Sequence, residues 1–306
     1  MGNKAAVIDV GTNSVRLLIA RVNEREVRNE EHFIETTRLG EGWKEDKQRL
    51  KPEAVERTYR AVEKFCLRCR EKEVEKIKIL GTSALREAEN RQELQNRIRD
   101  GLHLDLQILS EEEEALYSYR GAVHSLPLPP GRNLLIDVGG GSTEGIWREE
   151  GHLKCRSFPL GAVRLKEKFA SQDPPASSEV KRMEEYLETT LAPFRDYWQG
   201  SWVIATGGTV TALASIKNRI TCYRPELIHG ERLRADEIEQ LLQRFLSLSL
   251  EDRKRMVGLP PQRADIMVEG TLIVKACLKM AEAEEVLISE ADLLAGALTD
   301  NQRIVI

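Results

Sequence analysis

The chain has 306 residues, enough for two domains of ordinary size, each with its own core. With 41% apolar, 31% charged and 5% aromatic residues it reads as a globular protein with well-solvated helices, which excludes a disordered chain. A net charge of −4 offers no general attraction to nucleic acid or to an anionic membrane, so neither is an expected partner and any anionic ligand needs a local site. No apolar run approaches the roughly 20 residues that span a bilayer. The first residues show no signal-peptide pattern, so a cytoplasmic location is expected.

In chain order, Ala5 to Leu39 reads as three strands in a meander, with turns at Gly11-Thr12-Asn13 and near Asn23-Glu24-Arg25. A helix follows from Pro52 to Glu73. It carries Cys66 and Cys69; no second CxxC or His pair completes a tetrahedral metal site, so the two read as a cysteine pair on a helix. Next come the strand "EKIKILGT", the loop "SALREAEN", a helix over Arg91–Arg99 and the strand "LDLQIL". Ser110 then opens a helix with Glu113 at capping-box spacing. The segment "LPLPPG" (Leu126 to Gly131) breaks the pattern.

Beyond it, "NLLIDVGG", "STEGIWREE" and "HLKCRSFPL" read as a second meander. Helices are expected over Ala162–Phe169 and Ser178–Arg195, then the strand "SWVIATGG" and a helix over Thr209–Lys217. More helices are expected over Arg234–Leu248 and Pro260–Met280, then the strand "EVLIS" and a last helix from Glu290. The second half repeats the first with extra helices, and two α/β domains of like topology imply a ligand cleft between them.

Three glycine-rich turns each follow an apolar strand. They are Gly11, Thr12, Asn13 and Ser14; Gly139, Gly140, Gly141, Ser142 and Thr143; and Gly207, Gly208 and Thr209, which also opens a helix. Consecutive N–H groups without obstructing side chains suit phosphate oxygens, and a helix N-terminus favours anions. Asp9 and Asp137 end apolar strands, where an unpaired carboxylate is costly. Phosphate loops beside strand-end Asp point to Mg²⁺.

The words "IDVGTNSVRLLI", "ILGTSALREAEN", "ILSEEEEALYSYRGAV", "LLIDVGGGSTE", "FPLGAVRL", "ATGGTVTALA" and "RADIMVEGTLIV" run in order from about residue 5 to 295. In them the chain resembles the exopolyphosphatase and guanosine pentaphosphate phosphohydrolase (Ppx/GppA) family, within the actin, sugar-kinase and Hsp70 superfamily. The resemblance implies an α/β protein of two ribonuclease-H-like (actin-like ATPase) domains with an active-site cleft between them. The first would comprise 1–125 plus a C-terminal helix, 291–306, and the second 126–290. The implied reaction releases terminal phosphate from polyphosphate, or converts pppGpp to ppGpp, with Mg²⁺ or Mn²⁺. Polyphosphate or guanosine penta/tetraphosphate would be the ligand. Oligomeric state stays open, a homodimer included.

By resemblance, Glu114 is the catalytic base and Arg86 grips the transferred phosphate. Glu113 is the second choice as base, and Glu111 and Glu112 are assigned to solvent. Asp137 and Glu144, seven apart across the "GGGST" turn, are the implied metal ligands, with Asp9 contributing directly or through water. Arg16 and Arg164 are further phosphate candidates or surface ion pairs, and Arg263 and Asp265 read mainly as structural. The five histidines (His32, His103, His124, His152, His229) show no metal-like spacing. The alternative reading is a (p)ppGpp-binding regulatory protein with weak hydrolysis. A sugar kinase or chaperone ATPase fits less well, because "GGGSTE" places a carboxylate where those motifs differ.

Overall fold

The computed structural model describes residues 3–22, 27–42, 49–126, 128–222 and 224–299. It divides into two compact units, the described residues of Met1–Gly121 with Leu293–Ile306, and Ala122–Asp292.

In the first unit, β1 (Asn3–Val10), β2 (Ser14–Val22) and β3 (Val27–Thr36) form the antiparallel meander. The turn expected near Asn23-Glu24-Arg25 lies outside the described residues. Strand β4 (Lys76–Gly81) adds parallel to β1, and β5 (Leu106–Ile108) parallel to β4, giving the order β3-β2-β1-β4-β5. Residues Ala6–Val10 are all buried, since both faces of the sheet are covered. On one face Ala6, Ile8 and Val10 meet Val62 and Phe65 of α1 (Pro52–Glu71) and Leu94 and Ile98 of α3 (Arg91–Leu102). On the other, Val7 and Leu80 meet Tyr117 of α4 (Glu111–Ser125) and Leu293, Leu294 and Ala297 of α12 (Leu293–Leu298). The last helix thus starts at Leu293 rather than Glu290, and residues 300–306 lie outside the description. A Cβ on Gly296 would overlap the carbonyl of Tyr117, so only glycine allows this contact.

The expected loop "SALREAEN" instead opens with a short helix, α2 (Ser83–Glu87). Buried Ala84 and Leu85 turn into the core, and the missing side chain of Gly81 leaves room for Leu85 Cδ1, 2.6 Å from where a Cβ would stand.

The second unit repeats the plan. Antiparallel β6 (Asn133–Val138), β7 (Thr143–Glu149) and β8 (His152–Phe158) are followed by β9 (Trp202–Thr206) parallel to β6 and β11 (Glu285–Ile288) parallel to β9. A short β10 (Arg232–Arg234) closes the edge antiparallel to β11, giving β10-β11-β9-β6-β7-β8. The helices are α5 (Ala162–Phe169), α6 (Ser177–Leu191), α7 (Arg195–Trp198), α8 (Gly208–Lys217), α9 (Ala235–Ser247), α10 (Leu250–Lys254) and α11 (Met267–Ala281). The single helix expected over Ser178–Arg195 breaks at a 3₁₀ turn carrying Pro193, between α6 and α7. The helix expected from Pro260 is a 3₁₀ helix over Pro261–Ile266 before α11. Among the described residues no helix is long and apolar enough to cross a membrane.

Candidate active site

The two meander hairpins are built alike at their tips. Gly11 N–H donates to Ser14 O at 3.0 Å, and Gly139 N–H to Ser142 O at 3.0 Å. In both, other segments consume the turn carbonyls. Thr12 O accepts from Gly40 N–H, and Asn13 O from Thr37 and Arg38 N–H. Gly139 O accepts from Ala162 N–H, Gly140 O from Val163 and Arg164 N–H, and Gly141 O from Arg164 Nε at 2.7 Å. Among the described residues the amides of Thr12, Asn13, Gly140 and Gly141 donate to no protein acceptor. With carbonyls turned inward and amides left over, each turn presents an anion-binding concavity. Asn13 Nδ2 is likewise buried without an acceptor in the described structure.

The hairpins differ one step further from the tip. In the first, Asp9 pairs in register with Arg16, whose Nη2 lies 2.7 Å from Asp9 Oδ2. In the second, Asp137 pairs in register with Glu144. Glu144 is buried and accepts from Ser157 Oγ at 2.9 Å. Like charges directly opposite on a sheet repel, and a cation relieves them. Mg²⁺ takes one or two protein carboxylates and fills its shell with water and phosphate, so this pair fits it. Among the described residues no group of three or more His, Cys, Asp or Glu converges on a metal-sized site. Asp9 belongs to the other unit, and its carboxylate holds Arg16.

The third turn abuts the second hairpin. Gly207 has φ +98°, and a Cβ there would stand 2.7 Å from Val138 O and 3.1 Å from Asp137 Oδ1. Gly208 opens α8 and lies directly under the Arg263 guanidinium, which any Cβ at 208 would overlap. A Cβ on Gly270 would overlap the Thr209 hydroxyl, so α11 backs the same turn. Arg263, which reads mainly as structural, thus lays its guanidinium on the Gly207-Gly208-Thr209 turn, a contact that sequence spacing does not reveal. Asp265 anchors Lys166, which donates to its carbonyl at 2.8 Å and its carboxylate at 3.2 Å. Arg164 is engaged with Gly141, so it shapes the turn from behind.

In the first unit, Ser110 and Glu113 form the expected capping box: Glu113 Oε2 accepts from Ser110 N–H, and Ser110 Oγ from Glu113 N–H. Glu113 is thus occupied and exposed. The next residue, Glu114, is 7% exposed and accepts from Arg86 Nη1 at 2.7 Å. Arg86 Nη1 also donates to Leu109 O at 3.2 Å, which fixes the guanidinium. Arg86 extends from α2, whose preceding residue, Thr82, has its hydroxyl 4.0 Å from where a Gly11 Cβ would stand. No sequence motif marks Thr82; the packing of β4 beside β1 brings it to the first turn. The His124 side chain lies outside the described residues; among the described residues His32, His103, His152 and His229 join no metal-sized cluster.

Three comparisons bear on this arrangement. The model of the Ppx/GppA phosphatase family matches residues 18–302. The chain is 31% identical over 314 residues to Exopolyphosphatase 2 of Mycobacterium tuberculosis, covering 96% of this chain and 97% of that protein. It is 29% identical to the guanosine-5'-triphosphate,3'-diphosphate pyrophosphatase of Vibrio atlanticus, covering 95% of this chain and 58% of that protein. The solved structure of the Aquifex aeolicus PPX-GPPA enzyme superposes with a TM-score of 0.79 at 31% identity, over 97% of this chain and 98% of that one.

Proposed function

Since this chain belongs to the Ppx/GppA phosphatase family, with its two actin-like domains, we propose that it hydrolyses the terminal phosphoanhydride of inorganic polyphosphate, or of pppGpp to give ppGpp. The observation that carries the reading is the ion pair of buried Glu114 with half-buried Arg86, in the unit that carries the first amide-presenting turn. Glu114 orients a water and takes its proton as the water oxygen attacks the terminal phosphorus. Arg86 holds oxygens of the reacting phosphoryl group through a charge-assisted bond. The bond from phosphorus to the bridging oxygen breaks, orthophosphate leaves, and the chain is one phosphate shorter. Within the first unit the amides of Thr12 and Asn13 take phosphate oxygens, and within the second those of Gly140 and Gly141 and the α8 N-terminus do.

Asp137 and Glu144 would hold Mg²⁺, or Mn²⁺ in its place. The ion supplies positive charge to the phosphate oxygens when bound. We take inorganic polyphosphate as the first substrate to test; the match to Exopolyphosphatase 2 over nearly all of that protein supports this choice. The pyrophosphatase match, over 58% of its partner, keeps pppGpp second. The test is phosphate release with Mg²⁺ from polyphosphates of several lengths, pppGpp and ATP. Release from polyphosphate at least tenfold faster than from ATP supports the proposal; no release from any of them refutes it.

A further inference from the structure

The second unit contains a cavity of about 550 Å³ at the end of α8 opposite the phosphate turn. Its rim carries Lys217 and Arg219 from the end of α8, Arg244 from α9 and Arg255 just past α10, against one acid, Asp252. Four cations around one cavity stand out in a chain whose net charge is −4. Lys217 is engaged, donating to Arg232 O at 2.7 Å and Glu237 at 3.0 Å. Arg255 reaches Asp252 only at 3.9 Å. Among the described residues Arg219 and Arg244 make no ion pair, and both are exposed.

The carbonyl end of a helix normally repels anions. Here it is covered: Asn218, Arg219 and Ile220 N–H donate back to Ala214, Ile216 and Ser215. The remaining wall is apolar, with Leu241 and Val257 at its surface, the latter 46% exposed. A cavity of this size suits a small organic ligand, with apolar wall for its body and a few polar groups for orientation. A bare phosphate chain gains nothing from that wall, whereas a nucleoside phosphate sets its base on it and its phosphates on the arginines.

We propose that this cavity is a second binding site, for a nucleoside di- or triphosphate, separate from the phosphate turns. Arg219 and Arg244 hold the phosphates in bidentate fashion. Leu241 and Val257 receive the base. Helix α8 joins this site to Gly208 and Thr209 through a ten-residue rod of about 15 Å.

Cys222, an exposed free thiol three residues beyond Arg219, supplies a local reporter. In a Cys155→Ser background, a fluorophore on Cys222 is titrated with GDP and, separately, with tripolyphosphate, with calorimetry alongside. The expected result is saturable GDP binding, weakened at least tenfold by Arg219→Ala/Arg244→Ala and unchanged by Glu114→Gln. Tripolyphosphate is expected to bind this site at least tenfold more weakly than GDP. An unchanged GDP isotherm in the double arginine variant overturns the proposal. So does tripolyphosphate binding as tight as GDP, or GDP silence in both measurements. Because Glu114→Gln abolishes turnover on the reading above and not this binding, the two readings fail separately.

Discussion

Asp137 and Glu144 face each other across the second hairpin at the register position that Asp9 and Arg16 occupy in the first. One repeated backbone plan therefore carries a neutralised ion pair in one copy and two carboxylates in the other. In the first, Arg16 is bound to Asp9 at 2.7 Å. The second is the pair proposed above to hold Mg²⁺.

Metal dependence of stability follows. Adding Mg²⁺ at millimolar concentration should raise the melting temperature of the wild type by a few degrees, through binding to the native state alone. Glu144→Gln should lose most of that rise. Calorimetric scans with Mg²⁺ and with chelator check this. An equal Mg²⁺ response in wild type and variant would place the ion elsewhere.

The second amide-presenting turn depends on a backbone contact that no side chain can share. A Cβ on Gly161 would overlap Gly140 O, so Gly161→Ala must push α5 off the turn whose carbonyls it caps. The expected cost is about 1–3 kcal/mol in urea unfolding, as for other overpacked sites. Affinity for tripolyphosphate should fall with it. Unaltered stability would mean that the turn yields freely.

Glu269 gives the stability a pH signature. It is fully buried at the start of α11, faced by Lys166, Arg253 and Asp265, and burial pushes its carboxyl up to about 7. An unfolded carboxyl titrates near 4.5. Between these values the folded chain keeps a proton that the unfolded chain has released, so stability falls as pH rises from about 4.5 to about 7 and levels above. The contribution is full below the unfolded value and lost on passing the folded one. Its size is up to about 3 kcal/mol. Glu269→Gln should flatten that segment of the curve measured by urea unfolding; an unchanged slope would assign it to other groups.

The cysteine pair of α1 should be chemically silent. Burial pushes the thiols of Cys66 and Cys69 up to about 11 and about 12, and that of Cys277 to about 12. Thiolates, not thiols, react with alkylating agents. Iodoacetamide at pH 8 on native protein should modify Cys222 first and leave Cys66, Cys69 and Cys277 protected until denaturant is added. Mass spectrometry reads the order, and early labelling of Cys66 or Cys69 would show that α1 opens.

Much of this was legible in the sequence because it is local. Each meander is written in contiguous apolar runs, each glycine-rich turn in adjacent small residues, and the capping box in Ser110 and Glu113, which sets Glu114 one step on. What escaped depends on segments distant in the chain. The Arg263 guanidinium rests on Gly208, Lys166 is tied to Asp265, and the 162–164 amides close over Gly139 and Gly140. No spacing rule announces such contacts. The short helix α2 escaped for another reason: five residues are too few for periodicity, and its buried pair Ala84-Leu85 decides the conformation through packing.

Glu114, held by Arg86, is the proposed base. The most direct test is Mg²⁺-dependent phosphate release from polyphosphate by wild type and Glu114→Gln, with substrate binding measured in parallel. The account predicts a kcat lower by about 10²–10⁴-fold with binding retained within a few-fold. Near-wild-type turnover in Glu114→Gln, above all with loss in Glu113→Gln, would contradict it.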